Sequence, residues 1–283
     1  MVKIISDSTC DLSTKLLEKY NVTILPLHIV LGEDEYLDGI NIHPDDIYRW
    51  SDENKTTPKT SAASLEDTMN VLEPFLKERN EIVLFCISEK MSTTGQVMRL
   101  AADELGAVNQ VFVIDSRNLS TGIGLLVIEA AIMAQGGASG TEIVKRMESL
   151  IPGVRASFVV DTLTYLHRGG RCSSLTALAG GVLKIHPKIV VKDGSMDVEK
   201  KYRGRMSSVI LSYITDMEDD LKKANKERVF ITHSGCDKEI IDEVYQYLKQ
   251  LKHFDEIIIT RAGSVISSHC GPGTLGVLFI EMD

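Results

Sequence analysis

Residues 81–135 read EIVLFCISEKMSTTGQVMRLAADELGAVNQVFVIDSRNLSTGIGLLVIEAAIMAQ. Two apolar runs, Glu81–Ser88 and Val111–Asp115, have strand character, and each leads into a helical stretch, Thr94–Leu105 and an Ala-rich run from Gly122 to Gln135. Strands that alternate with helices imply βαβ units and a largely parallel sheet. The same rhythm extends towards the N-terminus. Residues 2–6 read as a short buried strand, and Thr9 to Ser13 supplies caps for a helix over Thr14–Tyr20. Residues 22–31 read as one strand with Glu33-Asp34-Glu35 as its turn, and His43-Pro44 opens a helix. Lys55–Ser61 reads as a polar loop before a Ser64–Arg79 helix, and Thr141–Leu150 as a further helix.

Past Pro152-Gly153 the rhythm changes. Arg155–Val160 reads as a strand, and Leu163–His167 and Ser173–Leu183 as helices. Lys188–Val191 and Met196–Lys200 flank Asp193-Gly194, a favoured hairpin turn. A helix from Met206 to Asn225 follows, then a strand Arg228–His233, a helix Lys238–Leu251, and strands Glu256–Arg261 and Gly276–Met282. The expected fold is α/β in two domains. Residues 1–153 would hold a largely parallel sheet flanked by helices, and residues 154–283 an α+β domain with a mixed sheet.

With 283 residues, 43% hydrophobic and 25% charged, the composition is that of an ordinary soluble protein. No apolar run reaches the length of a membrane span. The start, MVKIISDSTCDL, lacks the basic and apolar regions of a signal peptide. Five scattered cysteines without a C-x-x-C fit buried, reduced thiols in a cytoplasm. The net charge of −9 argues against nucleic-acid binding. Residues 168–205 depart from it: nine Lys/Arg against three acids leave +6 there and −15 elsewhere. Such a stretch is either a solvated hairpin surface or a docking face for a partner or phosphate.

Five of the expected strands run into polar clusters: Asp7-Ser8-Thr9, Ser88 with Ser92 to Thr94, Asp115-Ser116, Thr232-His233-Ser234, and Ser267-Ser268-His269. Ligands of open α/β sheets bind outside the carboxyl ends of strands. Hydroxyls and an imidazole gathered there suit a small anionic head group. Phosphate-loop, dinucleotide, nucleophile-elbow and zinc-protease motifs are all missing, and the histidines have no metal-ligand spacing. Gly169-Gly170 and Gly180-Gly181 lack phosphate-loop spacing and fit tight turns or close helix packing. Thr60, Ser61 and Ser92 each read singly as helix caps, and His269 as a structural histidine in a turn. Together they point to a shared anion pocket.

DSTCDL (7–12), KTSAAS (59–64), ISEKMSTTGQ (87–96), YLHRGGR (165–171), KKYRGR (200–205) and SSHCGPGTLGV (267–277) occur in an order that resembles the DegV family across nearly the whole chain. That resemblance implies a two-domain α/β fold enclosing a long-chain fatty acid (C14–C18, palmitate among them) and no other cofactor or metal. It implies that Thr60, Ser92 and His269 hold the carboxylate, with Ser61, Thr93 and the backbone N–H groups after Ser92 assisting. Thr93 stands where the family usually has Gly, and Ala62 where a polar residue is common. Some members are subunits of bacterial fatty acid kinase and present the carboxylate to a separate catalytic subunit. Arg168, Arg171, Arg203 and Arg205 match the region that faces the kinase there. The expected role is a cytoplasmic lipid carrier without chemistry of its own, with transient membrane contact possible. The alternatives are a phosphotransferase or hydrolase built on the same polar cluster, and a lipid-sensing regulator.

Overall fold

The computed structural model describes residues 1–172 and 185–282. The chain begins with Val2–Asp7 (β1), covered on both faces from Ile4 onward. Thr14–Tyr20 (α1) leads to Thr23–Leu25 (β2). Here the single strand expected over 22–31 is two. Pro26 has no N–H for a sheet ladder and breaks the run, and His28–Leu31 (β3) joins a different sheet. The turn falls at Gly32-Glu33, with Gly32 at φ +68°, so Asp34–Leu37 is a strand (β4). Pro44–Asn54 (α2) starts on its proline, as expected. Part of the expected 55–61 loop is also a strand, Lys59–Ser61 (β5), antiparallel to β3 with Thr60 opposite Ile29. Leu65–Lys77 (α3) carries a capping box in which Ser64 Oγ accepts from Asp67 N at 3.0 Å. Glu81–Cys86 (β6), Thr94–Glu104 (α4), Val111–Asp115 (β7), Thr121–Gln135 (α5) and Gly140–Leu150 (α6) then follow the expected alternation.

In the second half, Val154–Val159 (β8) and Thr164–Gly169 (α7) precede the hairpin Ile185–Lys192 (β9) and Ser195–Arg203 (β10). The helix expected over Ser173–Leu183, with Gly180-Gly181 and Lys184, lies outside the described residues. The long helix expected from Met206 to Asn225 is broken at Met217 (φ −96°, ψ 2°) into Met206–Asp216 (α8) and Glu218–Leu221 (α9). Arg228–His233 (β11), Lys238–Leu251 (α10) and Glu256–Arg261 (β12) match expectation. His269 sits not in a turn but in the last turn of a short helix, Ser264–Cys270 (α11), before Leu275–Ile280 (β13).

Among the described residues three sheets result. The first is wholly parallel in the order β2-β1-β6-β7, and the second is a small antiparallel sheet, β4-β3-β5. The third is mixed, β10-β9-β8-β13-β11-β12, parallel only between β11 and β12. The fold is therefore α/β, with a helix-flanked parallel sheet and a C-terminal domain built on a mixed sheet.

One helix joins the parallel and mixed sheets. In α5 the residues Thr121 to Ile128, Ala130 and Ala131 are all buried. A helix that is apolar all round must be covered all round. It packs on β1 and β6 on one side and on β8 and β13 on the other. A single core cluster accordingly runs from Val83 and Phe85 through Leu125 and Ile128 to Phe158 and Leu278. Gly124 permits the approach, since a Cβ there would stand 2.9 Å from the Cys10 carbonyl oxygen. The one acid in this helix, Glu129, pairs with Arg228 of β11, and both are largely buried.

Buried carboxylates add polar staples. Asp7 accepts from Thr9 N at 3.0 Å and from Ile87 N at 2.8 Å, tying the end of β1 to the end of β6. Asp11 accepts from Ser120 Oγ at 2.5 Å and from Gly263 N at 2.8 Å. Asp38 accepts from Ser264 N at 2.7 Å. The last two cap the start of α11. Burial pushes the Asp7 carboxyl up to about 6 and the Asp11 carboxyl up to about 8.

Three outcomes follow from this packing. Leu126→Ala should lower stability by about 2–5 kcal/mol, the cost of a large-to-small change in a tight core. Because the core is shared, fluorescence of Trp50, the one tryptophan, and far-UV circular dichroism should report a single urea transition. Two separated transitions would show that α5 does not couple the halves. The Asp11 carboxyl, raised in the folded protein, makes the folded state bind more protons than the unfolded one. Its effect on stability is then most favourable below pH ~4 and declines as pH rises towards about 8. Asp11→Asn should gain thermal stability relative to wild type between pH 5 and 9, and a constant difference would refute the assignment.

Candidate functional site

The polar strand ends divide into two groups. Asp7, Asp115 and Ser116 turn inward and satisfy neighbouring loops: Asp115 Oδ1 accepts from Arg117 N at 2.9 Å, and Ser116 Oγ donates to Asn118 O at 3.2 Å. Thr232 Oγ1 lies between the hydroxyls of Thr121 (2.6 Å) and Thr260 (3.0 Å). These clusters hold the fold. The remaining polar groups meet elsewhere.

Thr60, Ser61, Ser92, Thr93 and His269 line one cavity of about 470 Å³. Its walls come from both halves of the chain: β5, the β6–α4 turn and Leu119 from one, and Arg171, Met196 and α11 from the other. The volume lies within the roughly 300–1,000 Å³ usual for small-molecule sites. Antiparallel pairing of β5 places Thr60, whose Oγ1 is 2.8 Å from His269 Nε2. Two segments 209 residues apart thus converge on one hydroxyl–imidazole contact.

Ser92 lies in the turn that enters α4. Its N–H donates to Ser88 O at 3.1 Å, and its Oγ is 2.8 Å from Thr94 Oγ1 and accepts from Thr94 N at 3.3 Å. Thr93 has φ −86°, an ordinary conformation that does not demand glycine. The departure from the family pattern at this position therefore costs no backbone strain. Gly95 is the residue that must stay small, because a Cβ there would stand 2.5 Å from Glu89 Oε1 and 2.9 Å from Cys86 Sγ. Glu89, also on the cavity wall, is paired with Arg99 at 2.5 Å.

His269 is held by α11, whose first N–H groups are taken by Asp11 and Asp38. Its Nδ1 is closed off from solvent and has no hydrogen-bond partner among the described residues. Burial pushes the imidazole down to about 4, and the charge of Arg171 acts in the same direction. The ring is neutral at pH 7. The polar end of the cavity therefore offers hydroxyls and a neutral imidazole, with the cations Lys90 and Arg171 on its wall. The rest is apolar: Leu27, Ile87, Met91, Leu119, Ile266 and Cys270. The last three also border a second recess of about 20 Å³ that reaches Phe158 and Leu278. Such a cavity fits an amphiphile with an acceptor-rich head.

Among the four arginines of the basic segment, Arg168, Arg203 and Arg205 are exposed and lie outside the cavity wall. Arg171 is exposed too, but it borders the cavity and donates from Nη1 to Gly169 O at 2.6 Å. Among the described residues, none of the four is ion-paired. No cluster of three or more His, Cys, Asp or Glu among the described residues converges to hold a metal. A separate groove of about 420 Å³ opens where β8 and β9 diverge and is lined by Arg117, Arg155, Lys188 and Lys192 with acids among them; it contains none of the expected site residues. The apolar lining was not legible in the sequence. Met91 comes from a turn, Leu119 from a loop and Met196 from the start of β10, so no common periodicity marks them.

A family model described as "Uncharacterised protein, DegV family" matches residues 1–282. A DegV domain-containing protein of Caldanaerobacter subterraneus subsp. tengcongensis is 34% identical over 99% of both chains. Among solved structures, a DegV family protein from Thermus thermophilus, described for its fatty acid binding, superposes with a TM-score of 0.91 at 28% identity, covering 99% of each chain. A stearic acid-binding protein from Eubacterium ventriosum gives 0.85 at 30% identity, covering 99% of this chain and 98% of the other. Full-length agreement of sequence and fold identifies this chain as a member of the DegV family.

Proposed function

We propose that this protein binds one long-chain fatty acid, C14–C18 with palmitate among them, and presents its carboxylate to a separate kinase subunit. The observation that carries the reading is the cavity with apolar walls and a polar end where Thr60 and His269 meet at 2.8 Å. The carboxylate accepts from the hydroxyls of Thr60 and Ser92, with Ser61 and Thr93 at the rim and His269 behind Thr60. The acyl chain runs past Leu119 and Ile266, between an N-terminal domain of residues 1–153 and a C-terminal domain of residues 154–283. The relatives described as fatty acid-binding and stearic acid-binding proteins support this occupant.

Energetics favour it. About fifteen methylenes at roughly 0.8 kcal/mol each offer on the order of 12 kcal/mol of gross burial. Ordering costs remove a large part. Neutral donors then orient the head group without a buried ion pair and its desolvation penalty. The Thr60–His269 contact resembles a nucleophile with its base, but a working base is oriented by a third group. Among the described residues His269 Nδ1 has no such partner, which supports a carrier over a hydrolase. The exposed Arg168, Arg203 and Arg205, without an ion pair among the described residues, offer a face for an acidic partner, and Arg171 stands where that face meets the cavity. The kinase would phosphorylate the carboxylate in place, in the cytoplasm.

Calorimetric titration with palmitate should show that Ser92→Ala weakens binding by about 1.5–3 kcal/mol, the worth of one hydrogen bond to a charged group. Affinity unchanged from wild type would put the head group elsewhere. In an assay reconstituted with a fatty acid kinase catalytic subunit, Arg203→Ala should slow acyl-phosphate formation and leave palmitate affinity intact. Added salt should reproduce the defect in the wild type, because exposed charges are screened beyond about 8 Å at physiological ionic strength. A joint loss of affinity and thermal stability would instead make the arginine structural.

A further inference from the structure

The paired glycines at the end of α7 have different reasons to be glycine. Gly170 has φ +66° with nothing within 4 Å of where a Cβ would sit, so its requirement is conformational, at the left-handed end of the helix. Gly169 has no positive φ. Its requirement is space. A Cβ at 169 would stand 2.4 Å from His269 Nδ1, 3.3 Å from Cε1 and 3.4 Å from Cγ, where ordinary contact begins at 3.4 Å. The backbone of α7 is pressed directly against the imidazole. Arg171 donates from Nη1 to the Gly169 carbonyl at 2.6 Å.

This contact has a chemical consequence. Nδ1 is closed off beside Gly169 and has no acceptor among the described residues. A proton there would be a buried donor without a partner, which is costly. The neutral ring therefore carries its proton on Nε2 and donates to Thr60 Oγ1 at 2.8 Å. With one of its two lone pairs accepting from the imidazole, Thr60 Oγ1 keeps its own O–H free to donate into the cavity.

We propose that Gly169 is a positioning residue that sets both the place and the tautomer of His269 and, through it, the direction of the Thr60 hydroxyl. The inference rests on the carboxylate site proposed above and specifies its selectivity. A relay that ends in a donor takes a head group that only accepts, a carboxylate, and disfavours one that brings donors of its own, such as a primary amide or an amine.

The test uses the full chain, labelled with ¹⁵N-histidine, and the variants Gly169→Ala, His269→Ala and the double variant. Imidazole nitrogen shifts of the wild type should show His269 protonated on Nε2 and untitrated down to pH 5. A proton on Nδ1 overturns the inference whatever the variants do. Palmitate titrations should show Gly169→Ala weakened about tenfold, close to one hydrogen bond to a charged group, with its preference for palmitate over hexadecanamide reduced. In the His269→Ala background the added methyl has room, so the double variant should bind like His269→Ala alone. Wild-type affinity in Gly169→Ala beside weakened binding in His269→Ala overturns this inference and leaves the carboxylate site standing. Wild-type affinity in His269→Ala overturns both.

Discussion

An apolar helix that must be covered on every side governs this molecule. The buried run Thr121–Ile128 of α5 cannot face water, so the parallel sheet closes over one side and the mixed sheet over the other. The two sheets are then neighbours whatever else the chain does. Loops at their ends are brought to a common seam, and the cavity with walls from both halves opens in that seam. Gly124, close against the Cys10 carbonyl, sets how near the helix lies to the loop after β1. The Glu129–Arg228 pair fixes the helix against the mixed sheet.

Polar staples work at the same seam. Asp11 and Asp38 come from loops of the first half and hold the first N–H groups of α11 from the second. That short helix carries His269, so carboxyl groups buried at the seam set the position of an imidazole on the cavity wall. Their desolvation is unfavourable and is offset by hydrogen bonds to backbone N–H groups and a serine hydroxyl. The result is a hydrogen-bonded polar end on a cavity whose remaining wall is largely apolar.

The alternation of strands and helices was legible because each strand is a short apolar run and each helix has a cap. The exceptions have local causes. Pro26 splits one expected strand, and Gly32 starts the turn one residue before its expected place. Lys59–Ser61 reads as a loop because three polar residues on an edge strand carry no alternation, yet pairing with β3 makes it one. Thr60, Ser61, Ser92, Thr93 and His269 could be named through the family resemblance, and the fold brings all five to one wall. Their convergence at strand ends was only half legible: Asp7, Asp115 and Thr232 share the composition but bond inward. The apolar lining and the role of Gly169 depend on contacts between distant segments, which one sequence does not display.

The central claim is the place of the fatty acid head group. A crystal structure of the protein with palmitate tests it most directly. The account predicts a carboxylate about 3 Å from Thr60 Oγ1 and Ser92 Oγ, with the acyl chain passing Leu119 and Ile266. A carboxylate bound instead among Arg117, Lys188 and Lys192 in the groove between β8 and β9, with the Thr60–His269 contact untouched, would contradict it.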